Sequence, residues 1–181
     1  MVRKCSYTLE SEMTGEEVNE ILRCIGKYKP NGIHIEIGTA AGGTMCSILK
    51  YYKFVLNFNQ PTFIAVDPLS YFENQYEVIC RNLKKNQLTL DNVVFEKKTS
   101  NQAFKSLKIK EIAFLLIDGN HKLKNVVKDL RFARLLKRNG LLVVHDYSTS
   151  FPGVKIALDI FIRRCTNYEV ISNVNTLLVL R

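Results

Sequence analysis

Long apolar runs are missing from this sequence. The run at 112–117, IAFLLI, has six residues, whereas a helix crossing a bilayer needs about 20, so no membrane association is expected. An apolar leader is lacking too: MVRKCSYTLESEMTGEEV turns acidic before one can form, and no secretory signal is expected. Cysteine is sparse and unpaired. Residues 5, 24, 46, 80 and 165 are odd in number, widely spaced and free of any CxxC, which argues against a disulfide framework and against a zinc cluster. A reducing, cytoplasmic compartment is the expectation. Linkers rich in Ser, Gly or Pro are absent, as is any repeat of 20 to 50 residues. The 181 residues are therefore expected to form one domain, 1–30 being an N-terminal helical segment and 31–181 the core.

What is present is ordinary globular material, 46% apolar and 24% charged, with a basic excess of 26 Lys+Arg over 17 Asp+Glu. The excess is concentrated. Residues 81–140 carry 15 basic against 5 acidic side chains, and such a stretch can draw in phosphates or acidic molecules by long-range steering. Lysines 84, 85, 122, 124 and 128 read equally well as the solvated faces of helices. No aromatic residues are regularly interleaved to stack on bases, so weak nucleic-acid binding through 81–140 is a secondary expectation.

Short β-branched runs alternate with longer amphipathic stretches. Strands are expected at 33–37, 62–66, 93–96, 112–117, 140–144, 168–171 and 176–180, and helices at 15–28, 42–56, 73–87, 101–107, 122–137 and 154–165. This alternation implies right-handed βαβ crossovers and a mostly parallel sheet covered on both faces, an α/β fold. Only four residues, 172–175, separate the last two strands. That is too short for a crossover, so those strands should pair as an antiparallel hairpin.

The segment IHIEIGTAAGGTMCSILK runs from strand to Gly-rich loop to helix, an arrangement that offers backbone N–H groups and a positive helix end to a ligand. Ala40 stands where a G-x-G-x-x-G dinucleotide fingerprint needs its second glycine. No lysine follows the GGT, so a Walker-type loop is excluded as well. What remains is E-x-G-x-x-x-G, from Glu36, Gly38 and Gly42; the alternative is a glycine loop that only turns the chain. The strand at 62–66 ends in Asp67 followed by Pro68, and a carboxylate there can accept both hydroxyls of a ribose. The alternative is an Asp that opens a turn before proline. Two more strands end in polar groups: IAFLLIDGNH in Asp118, with His121 three residues on, and GLLVVHDYS in His145 and Asp146. In an open parallel sheet all these ends should meet at one crevice.

With those residues in view, E-x-G-x-x-x-G resembles motif I of the class I S-adenosylmethionine-dependent methyltransferases. IDGNHKLKNVVKDL followed by LLKRNGLLVVHDY is similar to the macrocin-type and other sugar O-methyltransferases, typified by D-G-x-H and H-D-Y. The resemblance runs from about Gly32 to Tyr147. It implies a Rossmann-like fold, seven strands with the last antiparallel and helices on both faces, and S-adenosylmethionine as cofactor. The implied cofactor contacts are Glu36, Gly38, Thr39, Ala40, Gly42, Gly43, Thr44, Asp67, Pro68, Ser100 and Asp118. VVFEKKTSNQAF resembles the group's G-D-S-x-E segment, with Lys98 for the glycine, Gln102 for the acid and Ser100 retained near the adenine.

In metal-dependent relatives the residues matching Asp118, His145 and Asp146 hold magnesium. The imidazole weakens the case for magnesium and leaves manganese, zinc or iron. Asn120 occupies the place of a carboxylate base, so that role passes to His121, because an imidazole titrates near neutrality. His121 capping or packing a helix, and His145 bonding backbone at a strand end, are the competing readings. The implied activity is methyl transfer to a hydroxyl of a small-molecule acceptor, a sugar or polyphenol, with Asp118 and His121 catalytic. Two rivals stand beside it: methylation of RNA or another polyanion, and a non-catalytic cofactor-binding interaction subunit. No long lid insertion is present, which leaves a second copy of the chain to complete the site as a homo-oligomer.

Overall fold

Strand runs that read as continuously apolar are buried on both faces, as expected of parallel strands sandwiched between helices. The computed structural model describes residues 11–181; Cys5 and the start of the expected N-terminal segment lie outside the described residues. The chain runs α1 (Gly15–Tyr28), β1 (His34–Ile37), α2 (Gly43–Lys50) continued by a π-helical turn (Tyr51–Val55), β2 (Phe63–Val66), α3 (Gln75–Lys85), β3 (Val93–Glu96), α4 (Ser100–Ser106) and β4 (Ile112–Ile117). It continues with α5 (Leu123–Asp129), a 3-10 helix (Leu130–Leu135), β5 (Leu136–Val144), α6 (Pro152–Arg164), β6 (Val170–Val174) and β7 (Leu177–Leu180). The sheet order is β3-β2-β1-β4-β5-β7-β6. β1 to β5 pair in parallel, and β7 runs antiparallel to both β5 and β6. This is the α/β architecture that the alternation implied, in the Rossmann-like form that the resemblance implied.

Side-chain alternation along the strands divides the core in two. Phe63, Phe114, Leu116, Leu141, Val143 and Val179 pack with Ile21 and Ile25 of α1, Met45 and Ile48 of α2 and Ile79 and Leu83 of α3. Ile35, Ile37, Val66, Leu115, Ile117 and Val144 face the other way, against Ala103 of α4, Val126 of α5 and Leu158 of α6. Since β1 puts Ile35 and Ile37 on the second face, His34 and Glu36 must point to the first.

Register sets the site. Ile37 is level with Val66 and with Ile117, and Ile117 is level with Val144. The residues that follow, Gly38, Asp67, Asp118 and His145, therefore emerge side by side at one end of the sheet. Here the strand order reverses between β1 and β4, the position where such sheets take their ligands.

Several expected boundaries differ. The sixth strand runs Val170–Val174 rather than 168–171, which leaves only Asn175 and Thr176 for the turn. The helix expected at 122–137 stops being α-helical at Asp129, tightens to a 3-10 turn and gives way to β5 at Leu136, because Leu136 pairs with Ile112 of β4. The helix expected at 42–56 keeps α geometry only to Lys50. In the π turn that follows, buried Tyr52 donates to the Pro30 carbonyl at 3.0 Å and its hydroxyl meets His34 Nε2 at 2.9 Å. Lysines 84, 85, 122 and 124 are exposed, whereas Lys128 is half-buried. No helix among the described residues is long and apolar enough to cross a membrane.

Candidate active site

The strand ends open into a cleft of about 660 Å³, within the range of small-molecule sites. Its wall includes Gly38, Thr39 and Ala40 after β1, Asp67 and Pro68 after β2, Thr99 and Ser100 at the start of α4, and Asp118 and His121 after β4. One end of the cleft is built for close backbone approach. Gly38 has φ +84°, and a Cβ there would overlap the Asp118 carbonyl, so only glycine fits between the ends of β1 and β4. The loop it begins is held from below by α3: Gln75 Nε2 donates to Ala40 O at 3.0 Å and buried Asn82 Nδ2 to Ala41 O at 2.9 Å. Asp67 accepts from Thr39 N at 2.9 Å and Leu69 N at 2.6 Å. Both its oxygens keep a lone pair for a ligand hydroxyl.

Glu36, expected among the cofactor contacts, is the third residue of β1, 2% exposed and not on the cleft wall; the pleat points it into the α1–α3 layer. Thr39 Oγ1 donates to it. Burial pushes its pKa up to about 8, the Thr39 bond opposing and the charges of Asp118 and Asp67 adding to the rise. It braces the loop as a neutral acid at neutral pH. Gly42, Gly43 and Thr44 are likewise buried rather than on the cleft wall; Gly42 turns the chain into α2 at φ +80°, and Thr44 Oγ1 pairs with Ser11 Oγ at 2.9 Å.

The other end of the cleft is ionic. His145 and Asp146, 7% and 8% exposed, stand beside Asp118. His145 Nδ1 lies 2.9 Å from Asp118 Oδ1 and 3.5 Å from Asp146 Oδ2, and His121 Nε2 lies 2.8 Å from Asp146 Oδ2. One ligand atom from each of Asp118, His145 and Asp146 can be chosen so that all lie within 4.8 Å of one another. One nitrogen and two carboxylate oxygens this close suit a divalent ion of the first transition row. Without an ion, His145 is charged. Burial disfavours the imidazolium, but the Asp118 hydrogen bond and the charges of Asp118, Asp146 and Glu17 outweigh it and raise the pKa to about 9. Asp146 has φ +61°, the left-handed region that Asp enters more readily than most residues, and this turn sets the direction of its carboxylate.

His121 packs its ring edge-on against Phe151 at 4.5 Å between centroids. Asn120 accepts from Lys122 N at 3.0 Å and Asn125 Nδ2 at 2.8 Å, so its amide shapes the entry to α5.

Three acids escaped the sequence reading, and one of them, Glu12, lines the cleft and accepts from the Tyr71 hydroxyl at 2.8 Å. Asp129 of α5 is 2% exposed yet on the cleft wall; burial pushes its pKa up to about 6 against a Ser100 hydrogen bond. Glu17 of α1 reaches within 3.4 Å of His145 Nε2. Its capping box with Thr14 is visible in the sequence but marks only a helix start.

The profile of a family described as "Methyltransferase domain" matches residues 35–147, the span that contains both ends of this cleft. The chain belongs to that methyltransferase family. Known structures share its fold. The O-methyltransferase NovP aligns at 17% identity with TM-score 0.73, over 92% of this chain and 78% of NovP. The Bacillus cereus O-methyltransferase, solved with SAH, aligns at 11% with TM-score 0.69, over 93% and 82%. CalS11, a TDP-rhamnose 3'-O-methyltransferase of calicheamicin biosynthesis, aligns at 12% with TM-score 0.67, over 92% and 77%. No curated protein matches the chain.

Proposed function

We propose that this methyltransferase uses S-adenosylmethionine to methylate a hydroxyl of a small molecule, a sugar or polyphenol, with a divalent ion at the acceptor. The observation that carries the reading is the pairing of two unlike ends in one cleft. Gly38 and Asp67 suit a nucleoside with an amino-acid tail, and the Asp118, His121, His145 and Asp146 group suits an acidifying hydroxyl. The folds shared with sugar and other O-methyltransferases are consistent with it.

In this reading Asp67 accepts the ribose hydroxyls, Gly38 lets the backbone approach the methionine end, and Ser100 lies at the adenine. The methyl is already activated by its sulfonium, so the protein's task is alignment and proton removal. His121 donates its Nε2 proton to Asp146, which leaves the Nδ1 lone pair to take the acceptor's proton. The bound cofactor would supply an electrophilic methyl group to the acceptor oxygen, its carbon–sulfur bond breaking to leave a neutral thioether, while His121 keeps the acceptor's proton. Asp118, His145 and Asp146 would hold the divalent ion, which supplies a lowered hydroxyl pKa and a fixed acceptor orientation. Phe151, edge-on against His121, holds the orientation of the base.

Calorimetric titration with S-adenosylhomocysteine tests the cofactor assignment. The wild type should bind, and Asp67→Ala should weaken binding by roughly 2 to 4 kcal/mol as the ribose bonds are lost. A folded wild type that does not bind, or an Asp67→Ala variant with unchanged affinity, overturns it. Labelled methyl transfer across a panel of sugars, catechols and RNA then separates the small-molecule acceptor from the polyanion.

A further inference from the structure

Glu17 comes to the ionic end of the cleft from α1, on the opposite face of the sheet from α5 and α6. Its Oε1 accepts from Thr176 N at 3.0 Å and Thr176 Oγ1 at 2.8 Å. Its Oε2 accepts from Thr14 N and Thr14 Oγ1, both at 2.9 Å, and faces His145 Nε2 at 3.4 Å. The side chain is 2% exposed, and the four hydrogen bonds from Thr14 and Thr176 fix the carboxylate in place. A fixed anion thus sits on one nitrogen of His145 while the other nitrogen faces Asp118 and Asp146.

A neutral imidazole has one N–H and one lone pair, and whichever nitrogen keeps the proton cannot bind a metal. A carboxylate behind a ligating histidine holds the proton on the far nitrogen, orients the ring and raises its basicity. We propose that Glu17 is a positioning residue that accepts the Nε2 proton of His145, turns the Nδ1 lone pair toward Asp118 and Asp146, and so makes the site select a transition ion such as Mn²⁺, Co²⁺ or Zn²⁺ over Mg²⁺. The inference rests on the metal-assisted reading of this cleft and adds the origin of its metal preference. Magnesium favours an all-oxygen shell, and a nitrogen donor shifts the balance toward the later divalent ions. The carboxylates are shared among roles, since Asp146 also meets His121, whereas Glu17 pairs with His145 and otherwise accepts from Thr14 and Thr176.

The test titrates the purified full chain with Mn²⁺ by electron paramagnetic resonance and with Co²⁺ by visible absorbance, alongside Mg²⁺ competition and S-adenosylhomocysteine calorimetry. The wild type should bind Mn²⁺ in the presence of a large excess of Mg²⁺ and show a Co²⁺ spectrum with nitrogen coordination. Glu17→Gln should weaken Mn²⁺ by about 10- to 100-fold and leave cofactor affinity within about twofold of the wild type. Thr176→Val, which removes a hydroxyl from the other Glu17 oxygen and spares His145, should hold Mn²⁺ affinity near the wild type. His145→Asp should bring Mg²⁺ affinity toward that for Mn²⁺. Nitrogen NMR of the Zn²⁺-loaded wild type needs no variant to fold; it should show His145 protonated at Nε2 and coordinated at Nδ1.

Three results overturn the proposal: a wild type that binds S-adenosylhomocysteine but none of these ions, a His145 bound through Nε2, or equal losses in Glu17→Gln and Thr176→Val, which would make Glu17 a brace for α1 only. A wild type that binds the ions but not S-adenosylhomocysteine strikes the cofactor reading instead.

Discussion

Glu36 shows how one residue's environment reverses its expected state. Its carboxyl group titrates near 4.5 in the unfolded chain and is pushed up to about 8 in the folded one. Between those values the unfolded state has released a proton that the native state retains, so stability falls as pH rises, by up to about 1.4 kcal/mol per pH unit. Glu36→Gln keeps the shape and an acceptor for Thr39 and has no proton to lose. The melting temperature of the variant should therefore gain on the wild type steadily from pH 5 to pH 8. Parallel melting curves across that range would refute the burial of a neutral acid. Asp146 is the opposite case, a single carboxylate asked to orient His121 and to face His145. With an acceptor in hand, Asp146→Asn should cut kcat at least as deeply as His121→Ala, each by about 10² or more, with cofactor affinity little changed. Chelation should reproduce only the metal-dependent share of the Asp146 loss, and full activity in excess chelator would leave His121 acting alone.

At the scale of elements, the site depends on how closely loops and helix ends approach. Gly38 meets the Asp118 carbonyl and Gly153 meets the His121 carbonyl and, at 2.6 Å from a built Cβ, Leu123 N. An alanine at either position has backbone, not a flexible side chain, in its way. Gly38→Ala also carries the cost of φ +84°, so it should lose about 3 kcal/mol, or roughly 6 to 12 °C in melting temperature for a chain of this size, and all cofactor binding. Gly153→Ala should push the start of α6 away from the loop after β4 and separate Phe151 from His121. Its signature is a lower kcat with cofactor affinity retained; loss of cofactor binding in a folded Gly153→Ala protein would show that α6 supports the nucleoside end instead. The elements themselves were legible where their patterns were long. α1, with a capping box and a sustained apolar stripe, appears at 15–28 as expected. The 122–137 stretch was misread because LRFARLLK carries a helical apolar spacing, and only the pairing of Leu136 with Ile112 draws its end into the sheet.

For the whole molecule, sheet order and register act together. β1 and β4 are neighbours although 74 residues of chain lie between Ile37 and Ile112, and that neighbourhood brings the glycine loop after β1 and an acidic strand end to one cleft. Because the cleft is formed only in the native state, a ligand that fills it stabilises the entire fold by mass action. S-adenosylhomocysteine at 100 times its dissociation constant should add about 2.7 kcal/mol, roughly 5 to 11 °C, and Asp67→Ala should abolish most of that shift at the same concentration. A shift equal in wild type and variant would place the ligand elsewhere.

The sequence by itself determined the alternation of strands and helices, the antiparallel last strand and the polar residues that end β2, β4 and β5. The reason is local: a parallel strand buried on both faces must be a continuous apolar run, and the first charged residue after it marks the strand's end. Asp67, Asp118, His145 and Asp146 were legible for that reason, and Gly38 because a strand-to-helix turn needs it. Only the tertiary structure decided which way Glu36 points, since the pleat of β1 is set by the neighbours its isoleucines find. Tertiary structure also decided that His121 meets Asp146 and that Glu17 meets His145. Those pairs join residues far apart in the chain, and their contact follows from the packing of α1 and the loop after β4 onto the same sheet end, which no local spacing records.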